Sequence, residues 1–155
     1  MLSPKSLLAL LADGQWLSGE ALGETFDVSR TAIWKQLKHL KSAGIEIESE
    51  RGKGYRLLQP MQLLADEHIK SRLSPHSSAL LQDLLLAFSV DSTNTAMMQR
   101  VEMKDALSGS VMFAEQQTAG RGRRGRSWVS PLGRNIYCSI VWLSLIHISE
   151  PTRLH

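Results

Sequence analysis

Fourteen residues at positions 115–128, Glu-Gln-Gln-Thr-Ala-Gly-Arg-Gly-Arg-Arg-Gly-Arg-Ser-Trp, hold the densest chemistry in this sequence. Four arginines, Arg121, Arg123, Arg124 and Arg126, fall within six residues and alternate with Gly120, Gly122 and Gly125. Guanidinium groups bind phosphate or carboxylate through forked, bidentate hydrogen bonds. Glycine lets a backbone fold closely over what those groups hold. Four like charges so close repel one another, so the loop is expected to stay mobile until an anion arrives. Trp128 adds a flat face that can stack on a purine or cover an apolar ligand.

Two other readings of the loop are weaker. Gly120-x-Gly122-x-x-Gly125 matches the dinucleotide fingerprint in form only. That fingerprint follows a strand directly and opens a helix. Here it follows polar or small residues, is filled with arginine and runs into Trp-Val-Ser-Pro. An arginine-glycine RNA-binding tract would lie in low-complexity sequence, whereas this loop lies between two expected strands. A site for a small anionic molecule is the preferred reading.

Charge is concentrated in the same place. The 155 residues carry 18 Lys+Arg and 15 Asp+Glu, a formal net charge of +3. Without the four loop arginines the balance would be −1, which points to a local anionic ligand rather than a broad nucleic-acid surface. Hydrophobic residues make up 43% and charged residues 21%, which excludes a disordered or collagen-like chain. The single cysteine, Cys138, excludes an intramolecular disulfide and fits a reducing cytosol. The apolar stretch 79–90 is broken by Gln82, Asp83 and Ser89 and is shorter than the ~20 residues of a membrane helix, so no membrane association is expected. The first residues, with a leucine run but no small-residue cleavage site before Asp13-Gly14, read as a folded helix rather than an export signal. His39, His68 and His76 lack the spacing of metal ligands, and no protein-held metal is expected.

The first sixty residues carry a second pattern. Leucines at 7, 8, 10 and 11 predict a short helix closed by Asp13-Gly14. Ser18 is an N-cap for a helix burying Ala21, Leu22 and Phe26, and Ser29 is an N-cap for another running to Ala43. In that helix Ile33, Leu37 and Leu40 form one apolar stripe, while Arg30, Thr31, Trp34, Lys35, Lys38 and Lys41 lie on the other side. No acidic residue occurs from Ser29 to Gly44. Period-two alternation at Ile45–Ile47 and Tyr55–Leu57, around the turn Ser-Glu-Arg-Gly-Lys-Gly, predicts a hairpin tipped by Arg51 and Lys53. Helix, helix, cationic helix and basic hairpin in this order make a winged helix-turn-helix whose reader approaches a phosphate-lined groove without repulsion. A small helical domain with ordinary solvated lysines is the plainer alternative.

Gln59-Pro60 ends the hairpin, and a domain boundary is expected at 58–66. Beyond it the pattern predicts a helix over Asp66–Leu73 ended by Ser74-Pro75 and a buried strand over Leu84–Val90. A polar turn Asp91-Ser92-Thr93-Asn94 then caps a helix over Thr95–Glu102, followed by strands over Gly109–Ala114 and Asn135–Trp142. Strands and a helix in that order belong to an α/β or α+β sheet.

The winged helix, Asp-Ser-Thr-Asn at 91–94, Gln-Gln-Thr-Ala-Gly-Arg-Gly-Arg-Arg-Gly-Arg-Ser-Trp at 116–128 and Asn-Ile-Tyr-Cys-Ser-Ile-Val-Trp at 135–142, taken in order, resemble the bacterial bifunctional biotin protein ligases that also repress the biotin operon. The resemblance covers residues 1–142. It implies an α+β fold, with a winged helix-turn-helix at 1–60 and, at 66–142, the N-terminal part of a biotin/lipoate-ligase-like catalytic domain. It implies a ligase that makes biotinyl-5′-AMP from biotin and Mg-ATP, then transfers biotin to a lysine of the biotin carboxyl carrier protein of acetyl-CoA carboxylase. The adenylate is the implied corepressor, and a homodimer on biotin operator DNA in the cytoplasm the implied repressor.

By motif match, Ser92, Thr93, Asn94, Gln117, Arg121, Gly122 and Arg123 would bind biotin, Arg123 and Trp128 the adenylate, and Arg121 and Arg123 would be catalytic. DNA would meet Arg30, Thr31, Trp34, Lys35, Lys38, Arg51 and Lys53. Short hydroxyl and amide groups suit a buried ureido ring, and arginines offset the repulsion between carboxylate and phosphate as they meet.

After Trp142 the likeness stops. Residues 143–153 look like translated transposase adapter from a sequencing library, so 143–155 are expected to be a non-native tail, and His147 and His155 are given no role. The family continues with a lysine-containing segment, more strands and a small barrel, so the chain as it stands is expected to be a poor ligase. The alternative is a DNA-binding regulator whose second half is a degenerate, non-catalytic effector domain.

Overall fold

The computed structural model describes residues 1–122, 126 and 128–142. The expected tail at 143–155 and the loop residues Arg123, Arg124, Gly125 and Ser127 lie outside the described residues.

Serine caps begin the helices of the first unit. Ser3 accepts from the Ser6 amide at 3.1 Å in a capping box, with Pro4 at the first helical position, and starts α1 (Pro4–Leu11). Ser18 and Ser29 do the same for α2 (Gly19–Phe26) and α3 (Arg30–Ser42) through the amides of Ala21 and Ala32. Between them Asp27 takes a left-handed conformation (φ 51°) that ends α2 and turns the chain into the reader helix. Leu7, Leu8 and Leu11 of α1 meet Leu22 of α2 and Ile33, Leu37 and Leu40 of α3 in one core.

The face of α2 differs from expectation. Ala21 is exposed and Phe26 only half-buried; Gly19, Leu22 and Gly23 turn inward. A Cβ on Gly23 would lie 3.0 Å from the Val28 carbonyl, so the small residues set how closely the turn packs on α2.

The wing is the antiparallel pair β1 (Ile47–Glu50) and β2 (Gly54–Leu57), in register Ile47 opposite Leu57, which puts both side chains on the helices. Leu17, just before α2, exchanges backbone bonds of 2.9 and 2.8 Å with Tyr55, a one-residue third strand. Gly54 makes that contact possible: its φ is +107°, and a Cβ there would collide with the Leu17 carbonyl and come within 2.6 Å of the Ser18 Cα. Residues 1–57 thus form the expected winged helix-turn-helix, and with the sheet that follows the fold is α+β.

In the second unit, α4 (Asp66–Lys70) and α5 (Pro75–Leu80) precede β3 (Asp83–Ala87), α6 (Thr93–Glu102), β4 (Ser110–Ala114) and β5 (Tyr137–Ile140). The sheet order is β3-β4-β5, with β3 parallel to β4 through the α6 crossover and β4 antiparallel to β5. Ser74-Pro75 does not end a helix; it begins α5, because Ser74 accepts from the Ser77 amide at 3.1 Å and Pro75 needs no amide partner at the first position. The strand expected at 84–90 keeps its ladder only to Ala87, after which Val90 makes a single parallel bridge to Gln117.

One face of the sheet packs Leu85, Met112 and Val141 against Met97 and Val101 of α6. Arg100 ties α6 to the sheet end, donating to Asp83 at 2.9 Å and to the Asp105 carboxylate at 3.0 Å. The other face forms, with α4 and α5, an open apolar groove of about 300 Å³ lined by Ile69, Leu73, Leu84, Val111, Phe113 and Trp142 among others. Exposure on that side is why Leu84 and Leu86 of β3, expected to be buried, are only half-buried.

We expect Gly54→Ala to destabilise the winged unit by about 2–3 kcal/mol through strain at a positive φ and loss of the Leu17 contact. Urea unfolding followed by far-ultraviolet circular dichroism checks this; an unchanged midpoint would contradict it.

Candidate functional site

A cavity of about 420 Å³ opens where the N-terminus of α6, the start of the glycine-arginine loop and β5 come together. Its lining includes Ser92, Thr93, Asn94, Gln117, Arg121 and Trp128. Six of the expected ligand residues, distant in sequence, are therefore neighbours. Gly122 lies beside them in the chain, its amide donating to the Arg126 carbonyl at 3.1 Å. Arg123 lies outside the described residues.

Each position follows from a local cause. Ser92 is the N-cap of α6, its hydroxyl accepting from the Thr95 amide at 3.4 Å, so the following residues sit at the positive end of the helix, facing the cavity. Thr93, nearly inaccessible, gives its amide to Gln117 Oε1 at 2.8 Å and its hydroxyl to the same atom at 3.2 Å. The Thr93 hydroxyl in turn accepts from Ser139 Oγ at 2.9 Å. One threonine thus joins helix, loop and strand. With its Oε1 committed, Gln117 is held in one orientation, its Nε2 beside Gly120. Beyond it, Thr118 and Ala119 are fastened to the turn before α6 by bonds to Asp91 Oδ1 and Asp91 O, both 2.8 Å.

Gly120 is another position where a side chain would not fit. A Cβ would stand 2.9 Å from Trp128 Cδ1, 3.0 Å from Ser130 Oγ and 3.1 Å from Gln117 Nε2. The glycine lets Trp128 lie over the loop while remaining half exposed (55%), a face open for stacking. Arg121 is exposed at the cavity margin, with no ion pair among the described residues. A polar floor, a cation at the rim and an aromatic wall can hold a compact polar ring and an attached anion.

Sequence reasoning missed five lining residues: Thr95, on the first turn of α6, and Ile136, Tyr137, Cys138 and Ser139. The last four lie on or beside β5, expected as a strand but not as a wall. The available signal was Ser139, a hydroxyl alternating with Tyr137 and Val141 on the strand face that packs on α6. Cys138 is an exposed residue whose thiol is nonetheless pushed up by partial burial, so it stays protonated at neutral pH.

The second constellation is the outer face of α3 and the wing. Arg30, Thr31, Trp34, Lys35 and Lys38 are all exposed on α3, with Lys38 Nζ 5.5 Å from the Trp34 ring. A cleft of about 440 Å³ separates this helix from the wing; Arg30 and Arg51 line it, together with Glu20 and Glu50. Lys53 is less free than expected. It pairs with Glu50 at 2.9 Å and lies 5.7 Å from the Trp16 ring, which Arg56 also covers at 4.7 Å. Trp16 and Glu50 brace the wing, leaving Arg51 as its unpaired basic tip among the described residues.

Among the described residues no cluster of three or more His, Cys, Asp or Glu could hold a metal ion, and no helix is long and apolar enough to cross a membrane.

Two family models match separate stretches of the chain. Residues 5–56 match the family model described as HTH domain, and residues 86–154 that described as Biotin/lipoate A/B protein ligase family. Over 140 residues the chain is 45% identical to the "Bifunctional ligase/repressor BirA" of Escherichia coli (strain K12), covering 90% of this chain and 41% of that protein. It is 33% identical over 144 residues to the protein of the same name from Bacillus subtilis (strain 168), covering 92% of this chain and 42% of that one. A 44-residue stretch, 28% of this chain, is 50% identical to 17% of the "Biotin--[acetyl-CoA-carboxylase] ligase" of Paracoccus denitrificans. The chain therefore spans about two-fifths of the bifunctional relatives it matches.

Removing the Gln117 amide should leave the Thr93 amide without its partner and loosen the junction of α6 and the loop. We expect Gln117→Ala to cost about 1 kcal/mol of stability. A denaturation midpoint equal to that of the parent would show that this bond does not organise the cavity.

Proposed function

We propose that this chain, which joins a helix-turn-helix domain to a segment of the biotin/lipoate A/B protein ligase family, serves a bifunctional biotin protein ligase and biotin operon repressor. The observation that carries the reading is the cavity itself. Ser92, Thr93, Asn94 and Gln117 line it beside Arg121 and Trp128, at the root of the glycine-arginine loop and in the same chain as a cationic reader helix.

Biotin enters with its ureido ring against the hydroxyl and amide groups, whose hydrogen bonds offset the ring's desolvation. Its carboxylate oxygen attacks the α-phosphorus of Mg-ATP; the bond to the bridging oxygen breaks and pyrophosphate leaves. Arg121 and Arg123 neutralise the two anions as they meet, Gly122 lets the backbone approach them, and Trp128 packs on the adenine. Closing the loop excludes water from the mixed anhydride. An acceptor lysine of the biotin carboxyl carrier protein of acetyl-CoA carboxylase then attacks the acyl carbon, and AMP departs with the electron pair. Magnesium arrives as part of the nucleotide substrate.

When acceptor is scarce, biotinyl-5′-AMP remains bound as corepressor, and a cytoplasmic homodimer occupies the biotin operator. Arg30, Thr31, Trp34, Lys35 and Lys38 enter the major groove, while Arg51 and Lys53 reach the backbone beside it. Of these two, Arg51 is the stronger contact, since Lys53 must first give up Glu50.

The three-stranded sheet with its open apolar groove favours a second reading for these 155 residues taken alone: operator binding with little or no turnover. Pyrophosphate release on adding biotin, ATP and the acceptor carrier protein separates the two. Sustained release supports the ligase in this chain, whereas operator binding without release supports the regulator. For the DNA half, Lys38→Glu should weaken binding of biotin operator DNA at least about tenfold in a gel-shift titration while circular dichroism stays unchanged. Equal affinity would remove α3 as the reader.

A further inference from the structure

A short segment of the second unit is built into the core of the first. Leu132, 2% exposed, belongs to the cluster formed by Leu7, Leu37, Leu40, Ile45 and Leu57, although 75 residues separate it from Leu57. Its neighbours fasten the same place. Gly133 sits where a Cβ would collide with Met61, and its amide donates to the Glu115 carbonyl at 2.9 Å. The Glu115 side chain, itself buried, accepts from the Leu64 amide of the connector at 2.5 Å. Arg134 donates to Gln59 at 3.3 Å and to Glu46 beside β1 at 3.5 Å.

The other end of this segment is held by the cavity. Tyr137, 5% exposed and part of the wall, donates its hydroxyl to the Pro131 carbonyl at 3.0 Å and accepts from Asn135 Nδ2 at 3.1 Å. On the loop side, Ser130 Oγ lies by Gly120, buried and without a hydrogen-bond partner among the described residues. The Tyr137 anchor at Pro131 is therefore the immediate chain neighbour of a plug in the winged-helix core, Leu132.

We infer that residues 130–135 are a buckle that makes the cavity wall and the winged-helix core one mechanical unit, with Leu132 and Tyr137 as its positioning residues. Anything that fixes Tyr137 then fixes Pro131 and, next in the chain, Leu132, whose side chain belongs to the core cluster that includes Leu37 and Leu40 of α3. Linkage is reciprocal: a change in the winged core is felt at the cavity by the same factor. The inference rests on the packing and hydrogen bonds described, whichever ligand the cavity takes, so it can fail while the ligase reading stands, and the reverse.

A double-mutant cycle on the full chain, read by amide hydrogen exchange at Leu37 and Leu40 of α3, tests it. Leu132→Ala should speed exchange at least about tenfold, and Leu132→Met should largely restore it. Tyr137→Phe, about 3- to 10-fold faster by loss of one hydrogen bond, should have less than about a twofold further effect when Leu132 is already alanine. If Leu132→Ala does not fold, Leu132→Val completes the cycle. Simple multiplication of the two effects, or no effect of Tyr137→Phe on α3, would overturn the buckle.

Discussion

Thr93 can give its amide and hydroxyl to Gln117 only if the first turn of α6, the start of the arginine loop and β5 are all in place. The pair of bonds at 2.8 and 3.2 Å, with Ser139 closing on the threonine from behind, is nearly shut off from water. A buried amide without that partner would cost more than the bond contributes when made, so the junction is held by the penalty for opening it. The parallel β3-β4 pair and the α6 crossover bring Thr93 to the sheet end. The antiparallel return of β5 supplies the opposite wall. The ligand cavity is the space these three leave.

The two halves use cations differently. On α3 the basic side chains are spread along one exposed face, which suits a rod of phosphates. In the loop sequence they are crowded among glycines, a pattern that suits a single compact anion able to offset their mutual repulsion. The wing shows a third use: Lys53 and Arg56 are occupied by Glu50, Glu48 and Trp16, so charge there shapes the hairpin as much as it attracts a ligand.

Legibility in the sequence followed the range of the interactions. Ser18 and Ser29 announced their helices because a cap is settled within three residues. The wing was equally local, its register set by alternation on both sides of one turn. Ser74-Pro75 was read the wrong way because the same pair can stop one helix and start the next, and only the Ser77 amide decides. Of the cavity, Ser92 to Asn94, Gln117, Arg121 and Trp128 were identifiable through a family resemblance, whereas Tyr137 and Ser139 were hidden by the apolar strand around them. Leu132 was the least legible. A leucine between proline and glycine gives no periodic signal, and its partners lie in another unit far along the chain.

The central claim is that the floor around Thr93 receives the ureido ring of biotin. Isothermal titration of biotin into the chain and into Thr93→Val, which keeps the side-chain shape but cannot hold Gln117 through a hydroxyl, tests it most directly. The account predicts saturable one-to-one binding by the parent, weakened roughly tenfold in Thr93→Val as the cost of a lost, partly buried hydrogen bond. Equal affinity of the two proteins for biotin, or no saturable binding by the parent, would contradict it.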